Sequence, residues 1–527
     1  MIGMLAWRTL SDRPRRTAML LLGLGIAVGV MITLLSIGEA VLVQATDKDL
    51  VGGGDVLLLP AGIDVEVMKI GGPTGMYSML ANSRFLFRQV LSGPRFAATF
   101  VPVTPDGAEL PFAAASPGLV EKVMYARLAR PESATKDPRE VLAHGFIPSL
   151  DVAAGGPTAS FASQGIAWRD HDADRMWVDP PIDSLYNDMD RFHLPPRSLP
   201  DLERWAEWLY FNFTDPATGV FGYVSFIASG DIQAGGGRAT PLLQIVRPGQ
   251  PALLLRTEMP LAADDISLTR VALRFGTDTT ATFRDGAWRL HLGWDDAKGP
   301  VSVDLTVRPL LDLYYPPVLL QDSERWISGY TVPALRTEVS GTIRCPGVAL
   351  TLRDAPGYHD HNWGTWRGVS WEWGTASSAE HALLYGRVEQ PTHSPGTSGA
   401  GIFLLLAQAR SAGQRGGALA LFRPQSTHYD WGEPPARGAA RAPTAMTLAA
   451  TSESGTTSLD PAARDGIEVR LDVHTVTSSR MREPEEQVFL QLQGSYDVRA
   501  RIAGREIRFA TPGFAEVFVP PAFPSAP

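Results

Sequence analysis

Gly357-Tyr358-His359-Asp360-His361-Asn362-Trp363-Gly364-Thr365-Trp366 is the stretch on which the reading of this chain turns. It sets one carboxylate, two imidazoles, a phenol, an amide and two indoles side by side. Four of the chain's 13 Trp (Trp363, Trp366, Trp371 and Trp373) crowd into and just after it, so an aromatic site is expected here. The flanks alternate between apolar and polar residues. Val348-Ala349-Leu350-Thr351-Leu352 stands before and Val369-Ser370-Trp371-Glu372-Trp373 after, which predicts strand, turn and strand. In an extended segment side chains point to alternate faces. Tyr358, Asp360 and Asn362 are therefore expected on one face, with His359, His361 and Trp363 on the other.

Outward from this stretch the texture is β. Ile266–Phe275, Ala281–Trp294 and Val301–Val307 alternate, and turn signals such as Asp285-Gly286 separate them. The pattern returns through Val348–Leu352, Ala382–Val388, Gly401–Ala407, Ile467–Val473, Val488–Gln493 and Tyr496–Ile502, with loops at Ser394–Gly399 and Pro434–Pro443. Short strands at regular spacing predict barrels or sandwiches, and small barrels hold one ligand inside. Trp and Tyr in such an interior suit an elongated apolar guest.

Tyr358-His359-Asp360-His361-Asn362-Trp363-Gly364 resembles the signature of the AttH/hydroxyneurosporene synthase (carotenoid 1,2-hydratase) family, which is built from two lipocalin-like β-barrels. Glu207-Trp208-Leu209-Tyr210-Phe211-Asn212 is similar to the segment that opens that family's first barrel. The resemblance runs from about Leu199 to Pro520. It implies a mainly β fold of tandem lipocalin-like antiparallel barrels, at 199–345 and 346–527. It also sets Asp360 and Tyr358 on the family's acid and neighbouring tyrosine. The expected ligand-binding residues are Trp363, Trp366, Trp371, Trp373, His359, His361, Asn362, Trp208, Tyr210 and Trp326. One departure stands upstream: Gly329 and Thr331 occupy the positions at which the hydratases carry His and Trp. His193, His381 and Trp326 are candidates to replace them in space.

Hydration of an isolated trisubstituted alkene needs no cofactor. A carboxyl kept protonated by apolar burial protonates the double bond, water captures the tertiary cation, and aromatic faces shelter that cation. Asp360 is the candidate acid and Tyr358 its orienting neighbour. Neither a cofactor nor a metal is expected. The i, i+2 pair His359/His361 has metal-compatible spacing but no third ligand in view, so hydrogen bonding is the preferred reading. The polar clusters Asp170–Asp174 and Asp188–His193 read as capping or solvated loops ahead of cation binding. Cys345 sits before Pro346 with no motif around it, an inert thiol.

Two further features frame the chain. Ala18 to Gly38 is uncharged and long enough to span about 30 Å of hydrocarbon as a helix. Arg8, Arg13, Arg15 and Arg16 precede it, so the N-terminus is expected in the cytoplasm and the bulk of the chain outside it, anchored in the inner membrane by a single pass. A cleaved signal peptide is the alternative, disfavoured by the length of the run. Trp7–Gly38 and Gly53–Pro60 resemble the first helix and domain start of a MacB/FtsX-type ABC transporter permease, which implies an ABC transporter as partner. No later segment is long enough for a second membrane helix. Residues 1–46 are thus the anchor and 47–198 a linker domain of mixed α/β structure, with a helix expected over Pro117–Leu128. A net charge of −9 argues against a nucleic-acid partner. Two functions follow: a carrier that holds a lipophilic molecule outside the cytoplasm, or a hydratase or cyclase acting on an isoprenoid or polyene.

Overall fold

The computed structural model describes residues 118–125, 139–146 and most of the chain from Pro180 to Val519; among the stretches outside it are 366–369, 390–399, 409–416, 433–441 and 452–464. The run Ala18–Gly38, most of Asp170–Asp174 and Trp366 therefore lie outside the described residues. Among those that are described, no helix is long and apolar enough to cross a membrane.

The N-terminal unit contributes one described hairpin, β1 (Gly118–Tyr125) paired antiparallel with β2 (Arg139–Phe146). A strand replaces the helix expected over Pro117–Leu128. Gly118-Leu-Val-Glu-Lys-Val-Met-Tyr carries two Val, and pairing along all eight residues overrides a weak local helical preference.

The second unit is mainly β, with two antiparallel sheets. After a short helix α1 (Ile182–Met189), the larger sheet is laid down by β3 (Trp205–Asp215), β4 (Val220–Ser229), β5 (Arg238–Val246), β6 (Leu253–Arg256) and β7 (Met259–Pro260). It continues through β8 (Ala272–Phe275), β9 (Thr279–Arg284), β10 (Ala287–Asp296), β11 (Gly299–Pro309), β12 (Tyr315–Asp322), β13 (Trp326–Cys345) and β14 (Val348–Thr365). Its order is β6-β5-β4-β3-β14-β13-β11-β10-β9-β8, with β12 on β13 and β7 on β5. The smaller sheet comprises β15 (Ser370–Ser377), β16 (His381–Glu389), β17 (Ala400–Gln408), β18 (Gly417–Phe422), β19 (Thr427–Trp431), β20 (Pro443–Thr451), β21 (Gly466–Met481), β22 (Gln487–Ile502) and β23 (Arg505–Val519). Its order is β18-β17-β16-β15-β23-β22-β21-β20-β19.

Each sheet is an up-and-down meander in which the first strand pairs with the last: β3 with β14, and β15 with β23. The long-range pair is what fixes each domain, and it corrects the sequence boundary. The turn at Cys345/Val348 joins β13 to β14 within the larger sheet, so 345/346 does not divide the two. The chain changes sheet only after Thr365. The central stretch and its flanks form two strands, as expected, with the break between them after Thr365 and residues 366–369 outside the described residues. Val348–Thr365 is one strand, and Trp371 and Trp373 belong to the first strand of the other sheet.

Helix α1, assigned above to the linker, packs into the core of the larger sheet through Leu185, Tyr186 and Met189. Pro181 precedes its first turn, where a missing N–H costs nothing. The carboxylate of Asp183 accepts the backbone N–H groups of Asp285 (3.0 Å) and Gly286 (2.8 Å). Those two residues form the β9–β10 hairpin turn with φ of 53° and 68°, the left-handed pair that an Asp-Gly turn supplies. Asn187 accepts from the N–H of Val271 at 2.7 Å. The helix is thus pinned across the sheet, and the residue that ends it, Asp190, is delivered to a fixed place.

Three large apolar cores result, with a small fourth cluster of Leu199, Trp205 and Trp363. One fills the larger sheet with α1, one fills the smaller sheet, and a third lies between them. Strands β3 and β14 border two of the three large cores. Leu209, Phe211 and Phe213 enter the first core, whereas Tyr210 and Tyr358 enter the core between the sheets. Burial on both faces is why β3 reads as a nearly continuous apolar run.

Candidate functional site

The alternation expected for the central stretch holds along β14. Each residue pairs with a residue of β3 on its own face: Tyr358 with Asn212, His359 with Phe211, Asp360 with Tyr210, His361 with Leu209 and Asn362 with Trp208. The two faces carry two different polar clusters.

On the inner face, His359 and His361 are fully buried together with Asp190 and Glu207. His359 Nε2 lies 2.9 Å from Asp190 Oδ2 and its Nδ1 3.0 Å from the Tyr210 carbonyl, while the ring stacks on Phe211 at 3.8 Å. His361 Nδ1 lies 3.1 Å from Asp190 Oδ1 and its Nε2 2.8 Å from Glu207 Oε1. Trp288 Nε1 donates to Asp190 Oδ2 at 2.7 Å. Glu207 also accepts from the backbone N–H of His193 and meets its Nδ1, each at 2.9 Å.

Burial alone would push Asp190 up, but His359 and His361 outweigh it and hold the carboxyl at about 2. Burial pushes His361 down, yet the bonds to Asp190 and Glu207 raise it to about 9. His361 is therefore an imidazolium clasped between two carboxylates. Its folded value lies above the usual 6.5, so its stabilising contribution is complete below pH 6.5 and lost as pH rises through about 9. Unfolding followed from pH 6 to 10 should show roughly 3 kcal/mol draining away across that window. His361→Gln should flatten the profile, and an equal slope in that variant would refute the assignment.

Among the described residues, the set able to hold a metal ion is His193, Glu207 and His361. Glu207 Oε1 already bonds both imidazoles, so a cation there would have to break two short charge-assisted bonds. The cluster's chemistry is that of a clasp joining α1 to β3 and β14. Trp363 belongs to the same face. Its indole stacks on His193 at 4.1 Å and covers Gly329, where a Cβ would come within 1.9 Å of the indole. Gly329 is thus the seat of Trp363.

The other face turns toward the smaller sheet. Asp360 (5% exposed) accepts from Tyr358 Oη at 3.0 Å through Oδ2 and from Asn362 Nδ2 at 3.1 Å through Oδ1. Tyr358 Oη is 2.9 Å from Tyr330 Oη, which accepts from Trp373 Nε1 at 2.9 Å. With the indole as a pure donor, a chain runs Trp373 to Tyr330 to Tyr358 to Asp360. It crosses from one sheet to the other. Burial raises Asp360 well above the usual carboxylate range and Glu516 adds to the rise, against the Tyr358 hydrogen bond and the charge of His361. Burial likewise raises Tyr330 and Tyr358, keeping both phenols neutral.

Around this acid the wall is aromatic and drawn from both sheets. Trp373 lies 5.2 Å from Tyr358 and 6.0 Å from Tyr210, and Tyr210 lies 4.9 Å from Tyr223. Trp208 and Trp371, both half-buried, approach to 6.3 Å across the gap, and Asn362 is half-buried beside them. The site lies in the seam, or cleft, between the two sheets, where its aromatic residues form the core shared by both, and Asp360 points away from the core that fills the larger sheet.

Of the residues singled out from sequence, Asp360, Tyr358, Asn362, Trp208, Tyr210, Trp371 and Trp373 converge on the cleft. His359, His361 and Trp363 lie behind it. Trp326 begins β13 opposite Asp322, its side chain outside the described residues. Of the candidate replacements for the missing His and Trp, His193 sits on Trp363 on the inner face and His381 stacks on Phe509 at 5.3 Å in the smaller sheet. Sequence reasoning missed Tyr330, Gln491 and Glu516 at the cleft, and Asp190 and Trp288 behind it. Asp190 and His193 stand in a polar cluster that sequence does mark; nothing local marks Glu516.

Residues 193–399 match a family model described as a domain of unknown function (DUF7064). No curated protein sequence matches the chain. Among solved structures it is similar to CghA, at 15% identity and a TM-score of 0.43 over 63% of this chain and 97% of that one. It is also similar to an AttH protein from Nitrosomonas europaea (14%, TM-score 0.38, 60% and 92%) and to kievitone hydratase from Nectria haematococca (12%, TM-score 0.39, 63% and 98%). At these values no activity passes from them to this chain.

Proposed function

We propose that the cleft between the sheets is an acid-catalytic site that protonates an isolated alkene of an elongated apolar molecule, of isoprenoid or polyene type, with water capture or ring closure to follow. The observation that carries this reading is Asp360: a carboxyl raised by burial, in an aromatic cleft, with donors already on both oxygens. Protonated, it is an acid at neutral pH. Once it has given up its proton, Tyr358 and Asn362 donate to the carboxylate without having to reorganise. The faces of Trp373, Tyr358 and Tyr210 supply the π-electron density that steadies a cation. The two meanders, each joined first strand to last, fit tandem lipocalin-like barrels, with the site between them. Ala18–Gly38 would hold the cleft beside a bilayer outside the cytoplasm, where apolar substrates collect, and an ABC transporter remains the proposed partner.

The second reading, a carrier of the same class of molecule, draws on Gly329. Where the hydratases hold a catalytic His, this chain has only the seat of Trp363. Turnover decides between the two. The protein is incubated with geranylacetone, which bears isolated trisubstituted alkenes, in water enriched in oxygen-18. A hydratase yields an alcohol carrying the label and a cyclase an isomer of unchanged mass. Recovery of bound but unaltered probe would favour the carrier.

A further inference from the structure

We infer that Glu516 is a second catalytic carboxyl, the base that takes the proton from the water capturing the cation; this rests on the acid-catalytic reading of the cleft. Cross-strand register puts it there. Glu516 pairs with Trp373 on β15 and with Gln491 on β22. Directly opposed residues of antiparallel strands share a face, with Cβ atoms about 5 Å apart. Trp373 already meets Tyr330 and Tyr358, so Glu516 looks into the same cleft from the smaller sheet.

Its fixation is that of a positioned group. Oε2 accepts from Trp371 Nε1 at 2.9 Å and Oε1 from Gln491 Nε2 at 3.1 Å. Gln491 is itself held across the cleft: its Oε1 accepts from Gln244 Nε2 at 2.9 Å, and its Nε2 donates to Tyr223 Oη at 3.3 Å. Side-chain contacts join Asp360 to Tyr358, Tyr330 and Trp373 on one side and Glu516 to Gln491, Tyr223 and Tyr210 on the other, and strand pairing sets Trp373 opposite Glu516 and Tyr210 opposite Asp360. The two carboxyls come one from each sheet. Each oxygen of Glu516 keeps a lone pair free of the bonds to Trp371 and Gln491, and the residue is half-buried.

The two carboxyls are not equivalent. The titratable groups facing Glu516 are Asp360, Tyr210 and Tyr223. Burial raises Glu516, against the hydrogen bonds from Trp371 and Gln491; burial raises Asp360 further, well above its usual range. Asp360 is buried to 5% exposure and Glu516 only half-buried, so the apolar side of the cleft holds the acid and the side nearer water holds the base. The steps balance. Asp360 gives its proton to one alkene carbon; water bonds to the other; Glu516 takes a proton from that water. Glu516 passes that proton to solvent and Asp360 regains one from solvent, so the net change is alkene plus water to alcohol.

Two measurements test this. The first is binding of N,N-dimethyldodecylamine, which is cationic at neutral pH and stands in for the carbocation, against uncharged dodecanol. Glu516→Gln should weaken amine binding about tenfold or more, with dodecanol affinity unchanged, and Glu516→Asp should restore most of it. The second is the pH dependence of geranylacetone turnover. Wild type should give a bell, its acid limb set by Glu516 and its alkaline limb by Asp360, and Glu516→Gln should lose the acid limb. Amine binding insensitive to Glu516→Gln, or an unaltered acid limb in that variant, overturns the role of Glu516 and leaves that of Asp360 standing. Failure of both amine and dodecanol to bind the wild-type protein removes the cleft as a ligand site altogether.

Discussion

Replacing Asp360 with asparagine should lower turnover by about 10²- to 10⁴-fold, the usual contribution of a positioned general acid. Asparagine is close in shape and keeps an acceptor for Tyr358, so the fold and the affinity for an uncharged ligand should stay near wild type. A carrier predicts the reverse, a variant altered at most in affinity. The pH profile adds a sign. Asp360 acts while protonated, and burial raises it well above the usual carboxylate range, so wild-type activity should persist through neutral pH and fail on the alkaline side. Tyr358→Phe removes a donor that steadies the conjugate base and should cost less than Asp360→Asn, by roughly tenfold to a hundredfold. If Asp360→Asn retained full turnover of a probe that the wild type converts, the acid would lie elsewhere.

The largest effect on stability is expected at Asp190. Its carboxylate accepts from Trp288 at 2.7 Å and contacts His359 at 2.9 Å and His361 at 3.1 Å, all of them buried. Asp190→Ala strands the indole N–H and leaves an imidazolium with one carboxylate instead of two. Breaking a buried charge pair of this kind costs about 3–5 kcal/mol. Asp190 is also the residue that ends α1, so the helix should loosen with it. Calorimetry should report a melting temperature lower by several degrees, and limited proteolysis should cut near residues 182–193 first. A variant within 1 kcal/mol of wild type would show that the clasp contributes nothing. Acid titration checks the same point independently. The folded value of Asp190 is about 2, below the usual 3.8, so its contribution is present above about pH 4 and lost as pH falls through 2.

Much of this was legible before any coordinates. The period-2 pattern of Tyr358–Trp363 fixes which side chains share a face, because strand geometry leaves no other choice once the segment is extended. The same pattern identifies the β texture of both halves and the hairpin at Asp285-Gly286. It also singles out Asp360 and Tyr358 as neighbours on one face. What it could not say is which face looks where. A strand whose two faces are both buried shows no polar side, so β14 and β3 gave no hint that one face meets a filled core and the other a second sheet.

The pairings that build the candidate site join residues far apart in sequence. Asp190 reaches His361 across 171 residues and Gln244 reaches Gln491 across 247. Side chains so distant meet only when β3 closes on β14 and β15 on β23, and those closures depend on the summed fit of whole strands rather than on any local signal. The sequence by itself determined the chemistry on offer: a carboxyl and a phenol on one strand face, aromatic residues nearby and an apolar run at the N-terminus. Tertiary structure alone decided that the histidines clasp a helix, that Gly329 seats Trp363 and that Glu516 stands opposite Asp360. The reason is physical: the shift of a carboxyl's pKa is set by its burial and by the charges around it, and both exist only once the chain has folded.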